Sequence, residues 1–246
     1  MNNDSEFQKM EGITVLYRLL AGMIGGAGGA LFIFMGMILG GSVLESFAES
    51  APKLSPFASF LIMAVLFLSN LVSNTLGVLL IGLSDRTKYF TPFRGIPQVV
   101  VVNIILFILI IPVYLIAKNI DPMLMAGVAV LHFFFSSMTS ALVYEIICAD
   151  QSRILLNIYS VVIGIFAALL VLVFFYLSNE GNSPLLLFFG MPIVIWLSIG
   201  FIGALIEYFY YQLCRLTGID FLNLNPAGGL SAGYSEPGQG DDQPQA

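Results

Sequence analysis

Six stretches of this chain stay apolar for longer than the roughly 18 residues at which a bilayer-crossing helix becomes the default reading. They run from about Ile13 to Leu39, Phe57 to Leu83, Pro97 to Ala117, Met123 to Ile147, Ile154 to Leu177 and Leu185 to Ile206, separated by short polar segments. A strand in lipid would leave backbone N–H and C=O groups unpaired, and none of the six shows the alternation of a barrel strand. The sequence therefore predicts an all-α, polytopic membrane helix bundle of about six transmembrane helices. Residues 1–12 form an N-terminal tail, 13–216 the transmembrane domain, and 217–246 a C-terminal tail rich in Gly, Pro, Gln and Asp that is expected to be disordered. Charged residues are only 10% of the chain, against about 25% in a soluble domain, so the lipid bilayer is the first partner implied. The spans use nearly the whole length, so no separate soluble catalytic domain is expected.

With six crossings, Lys9, Arg18, Arg86, Lys88, Arg94, Arg153 and Arg215 fall on one side and Lys53 and Lys118 on the other. The positive-inside rule then puts both termini in the cytoplasm, for a multi-pass protein of the cell (plasma) membrane. Cys148 and Cys214 lie at the cytoplasmic ends of their helices, where thiols stay reduced, so no disulfide is expected. The first apolar run is too long for a removable signal peptide and lacks its cleavage pattern, and it is expected to be retained. Ser55-Pro56, Asp121-Pro122 and Ser183-Pro184 each place a capping side chain before a proline, the start signal of a helix, at the same end of spans two, four and six. The net charge of −6 resides largely in the tails and gives no reason to expect nucleic acid.

The first span carries Gly22, Gly25, Gly26, Gly28, Gly29, Gly36 and Gly40. Glycines four apart let two helix backbones approach closely in lipid, so this helix is expected to pack tightly and to be the face toward other membrane proteins. The alternative is a broken helix whose exposed backbone binds a solute. Between spans one and two, Ser42 to Glu49 has the pattern of a short surface helix. In the loop from Ser84 to Ile96, Asp85, Arg86, Lys88 and Arg94 are interleaved with Tyr89, Phe90 and Phe93, the composition of an interfacial anchor on anionic lipid. Pro112 and Pro192 are expected to kink their spans.

Span four holds the single histidine. His132, Ser136 and Ser140 share one helix face, and His132 lies roughly 13 Å in from Met123, near the middle of a bilayer core about 30 Å thick. In span two, Asn70 and Asn74 reach a similar depth. Asn70, Asn74, His132 and Ser136 thus form a candidate midplane polar cluster, either a dry hydrogen-bonded core or the seat of a proton relay or ligand. Arg18, Glu145 and Glu207 each fall where an apolar run meets the same interface, which predicts an ion-pair layer joining spans one, four and six.

Catalytic signatures are missing. Gly229-Leu-Ser-Ala-Gly233 matches a nucleophile-elbow pattern but sits in the tail, without the strand–helix turn that strains such a serine. The chain is similar to rhomboid-type intramembrane serine proteases in span number alone, since their glycine-flanked serine within a helix is absent. A single histidine cannot supply a zinc-binding pair, and no phosphate loop occurs. The expectation is a non-enzymatic protein without catalytic, cofactor-binding or metal-ligating residues, serving as a scaffold or accessory subunit of a membrane complex. The rival is a small-solute or ion transporter or channel built on the midplane cluster.

Overall fold

The computed structural model describes residues 12–41, 56–86, 88–149, 154–178, 184–217, 219 and 221–222. Among these residues there are six helices: α1 Gly12–Gly40, α2 Pro56–Ser84, α3 Ile96–Ile120, α4 Pro122–Cys148, α5 Ile154–Ser178 and α6 Pro184–Thr217. Each is long and apolar enough to cross a membrane. Among the described residues the only extended pairing is an isolated antiparallel bridge between Tyr89 and Ala149. The chain is a multi-pass, all-helical membrane bundle. The expected surface helix at 42–49 and the N-terminal tail to residue 11 lie outside the described residues, as do residues 218, 220 and 223–246 of the tail expected to be disordered from 217 onward. Thr217 itself is helical, and the N–H groups of Ile219 and Leu222 donate to Thr217 Oγ1 and the Tyr210 hydroxyl.

The capping signals mark real starts, because α2, α4 and α6 begin on Pro56, Pro122 and Pro184. Asp121 alone joins α3 to α4: its N–H closes α3 on the Ala117 carbonyl, and its own carbonyl accepts from Leu124 and Met125 in the first turn of α4. Pro112 and Pro192 are accommodated inside continuous helices. α6 outruns its apolar run, which ends at Ile206, and continues to Thr217. Hydropathy stops where Glu207 and the tyrosines begin, but nothing there breaks a helix, and Cys214 still turns inward.

α2, α4 and α6 form an inner trio. α1 lies against α2 and α6, α3 against α2 and α4, and α5 against α4 and α6. The three outer helices bury 39%, 17% and 33% of their most apolar windows, while the inner three bury 44%, 50% and 50%, which identifies the layers. Contacts of Arg18, near the start of α1, with Asp85 just past α2 and with Glu207 late in α6, and of Lys88 with both Glu207 and Glu145 late in α4, show that the inner helices all end where α1 begins. This is the Arg18 end of the bundle.

α1 is unbroken, and its glycines explain how it seats. Gly22 and Gly26 meet the α6 backbone at Trp196–Leu197 and Pro192–Ile193, while Gly25 meets the backbone of Gly77 in α2. A side chain at any of these positions would strike main chain, which cannot rotate away. The close approach expected of this stripe toward other proteins is made here within the chain, and Ser69 Oγ strengthens it by donating to the Gly29 carbonyl at 2.8 Å.

Candidate functional site

Two polar tiers run through the inner trio. The upper tier centres on Asn74, which is fully buried. Its Oδ1 accepts from Ser137 Oγ at 2.8 Å and from Trp196 Nε1 at 3.1 Å, and so uses both lone pairs. The two Nδ2 hydrogens meet Asn103 Oδ1 at 2.7 Å, Ser136 Oγ at 2.9 Å and Asn70 Oδ1 at 3.1 Å. Asn70 in turn donates to Ser136, and Asn103 donates to Ser140 Oγ and the Val99 carbonyl, both at 2.8 Å. One carboxamide therefore bonds α2 to α3, α4 and α6. Gly77 makes room for the Trp196 ring beside it, one turn along α2.

Asn70, Asn74 and Ser136 thus come together as expected, but His132 stands apart. It is buried in an aromatic slot on α3, stacked on Phe107 with ring centroids 5.9 Å apart and edge-on to Tyr114 at 6.0 Å. Its Nδ1 shares a hydrogen bond with the Tyr114 hydroxyl at 3.3 Å, and its Nε2 has no protein partner. Spacing along α4 had aligned His132 with Ser136, yet the turn between them changes neighbours from Tyr114 to the asparagines. Tyr114, Ser137 and Trp196 were not assigned to the cluster from sequence. An aromatic hydroxyl or indole in an apolar run looks like packing until its partner helix is known.

The lower tier lies at the Arg18 end. Arg18 donates to Glu207 through Nη1 at 2.8 Å and Nη2 at 3.3 Å, and its Nη1 lies 3.7 Å from Asp85. Lys88 Nζ reaches Glu207 at 2.7 Å and Glu145 Oε1 at 3.2 Å; Glu145 Oε2, at 3.1 Å from the same nitrogen, is out of hydrogen-bonding alignment. The Tyr89 hydroxyl also donates to Glu145. Burial, ahead of the neighbouring carboxylates, pushes the Tyr89 phenol well above its ordinary value, so it remains a donor. The predicted layer of Arg18, Glu145 and Glu207 exists, but Glu145 joins it through Lys88 rather than through Arg18.

Lys88 and Asp85 come from the α2–α3 loop, which the sequence marked as an interfacial anchor. The loop has two faces. Arg86, Phe90, Phe93 and Arg94 are exposed, as an anchor requires, whereas Asp85, Lys88 and Tyr89 turn into the bundle. The Tyr89–Ala149 bridge and a 3.0 Å bond from the Tyr144 hydroxyl to the Pro92 carbonyl strap the loop across the end of α4. Among the described residues no group of three His, Cys, Asp or Glu side chains is arranged to hold a metal. No family model, no curated protein and no solved structure matches this chain.

Proposed function

We propose that this protein is a non-enzymatic scaffold or accessory subunit of a membrane assembly. The observation that carries this reading is the saturation of Asn74. Every donor and acceptor of the central carboxamide is engaged with another side chain of the same core, so binding a solute there would require breaking bonds worth about 0.6 to 2 kcal/mol each in a membrane setting. A transport site needs ligating groups that a solute can satisfy; this core satisfies itself. The outer faces of α3 and α5 stay apolar and open, which suits lateral association as well as lipid. The excess of lysine and arginine on one side supports an orientation with both termini in the cytoplasm of a cell bounded by this membrane.

One observation favours the rival transporter reading, namely the unpartnered Nε2 of buried His132. The two readings separate in a native-state measurement. Solubilised gently from its own membrane, a scaffold subunit migrates in stoichiometric complex with other membrane proteins, and a cysteine at Ser136 stays unreactive to small thiol reagents from either side. A lone monomer whose Ser136→Cys variant labels from water would overturn the scaffold reading.

A further inference from the structure

Among the described residues the lower tier does not balance. Arg18 and Lys88 supply two positive charges to Asp85, Glu145 and Glu207, which supply three negative ones, and all five side chains are almost wholly withdrawn from water. Among the described residues the other titratable groups against the tier are Tyr89 in the loop and Tyr144 and Cys148 on α4, all uncharged near neutrality by their ordinary values. On the α5 side Ser160 borders Arg18 through Gly203. Arg86 and Arg94 belong to the exposed face of the loop, where water screens them. An uncompensated charge in such a place is strongly disfavoured.

We propose that this tier is a proton-binding site, holding one proton from the aqueous phase on Glu145 in the folded protein. The geometry selects the residue. Glu207 is bonded by both cations, and Asp85 combines its contact to Arg18 with acceptance from the Lys88 backbone N–H at 3.3 Å. Among the described cations only Lys88 makes an ion pair with Glu145, and Lys88 is shared with Glu207. Its other bonded partner is the neutral Tyr89 hydroxyl, and its Oε2 is buried without a hydrogen bond. Protonating Glu145 brings the tier to net zero and leaves both contacts of Glu207 intact. This inference does not depend on the scaffold reading, since it rests on charge count and packing at the other tier.

The test is the infrared spectrum of the purified full chain in detergent near neutral pH. The wild type shows a carboxylic-acid C=O stretch. Glu145→Gln, which mimics the neutral acid, loses that band and melts at the wild-type temperature. Asp85→Asn, which removes one negative charge, also loses the band although Glu145 is still present. The proposal is overturned by a wild type without the band, by a band that survives either substitution, or by a Glu145→Gln variant as unstable as Glu145→Ala. A melting temperature that depends on sodium or potassium, with no acid band, would equally overturn it in favour of a bound metal cation.

Discussion

Arg18 in α1 and Glu207 in α6, 189 residues apart in sequence, are joined by hydrogen bonds of 2.8 and 3.3 Å and are both buried. The pair closes the first helix onto the last. Removing one partner strands the other in the interior, which costs more than the pair itself contributes. Arg18→Ala should therefore lower stability by about 3 to 5 kcal/mol, while Arg86→Ala, on the exposed face of the α2–α3 loop, should leave the melting temperature unchanged. Equal melting temperatures for the two variants would remove the ion-pair tier from the account.

The glycine seat predicts a sharp contrast between helices. Gly26→Ala drives a methyl into the α6 backbone at Pro192–Ile193 and should reduce folded yield severely. Gly127→Ala, on α4, meets nothing within 4 Å and should be neutral or stabilising by up to about 1 kcal/mol, the helix-propensity gain. Folded fraction by size-exclusion chromatography measures both, and a tolerated Gly26→Ala would mean that α1 does not sit backbone to backbone with α6.

His132 and Tyr114 satisfy one another only in part, so they should couple. His132→Leu strands the Tyr114 hydroxyl at a cost of about 1 to 3 kcal/mol, and adding Tyr114→Phe should recover most of it, because exchanging both polar partners for apolar ones is close to neutral. A double-mutant cycle on thermal stability reads this directly. Additive losses would show that the 3.3 Å contact carries no energy.

The fold was legible in the sequence because spanning a membrane demands long apolar runs and fixes their ends. The three proline starts fell on the helices that form the inner trio, although nothing in their pattern distinguishes inner from outer. The site was legible by depth and not by direction. Asn70, Asn74 and Ser136 meet because depth sufficed, whereas His132 at one turn's remove turns to a tyrosine on α3. Lys88 and Asp85 were hidden for a different reason. A basic, aromatic loop at an interface is expected to face lipid, and only the arrangement of α1, α4 and α6 around it shows which of its residues point inward.

Asn74→Ala should be the costliest single change in the upper tier. It leaves Ser137 and Trp196 without their shared acceptor and unties α3 from α6, with a loss of about 1 to 3 kcal/mol for each group left unpaired. Trp196 is the chain's single tryptophan, so its emission should shift to longer wavelength as the ring loosens. An unchanged spectrum and melting temperature would show that Asn74 does not hold the core together.

That same indole offers the most direct test of a closed, self-satisfied centre, and it needs no substitution. The Trp196 Nε1–H donates to Asn74 at 3.1 Å in the middle of the inner trio, and a single tryptophan gives a single indole resonance in a nitrogen-15 spectrum. On transfer of the folded protein into deuterated buffer, that resonance should persist for hours, exchanging only when the bundle opens as a whole. Its loss within the dead time of the experiment, from a protein that stays folded, would mean that water reaches the centre and would contradict the dry-core account.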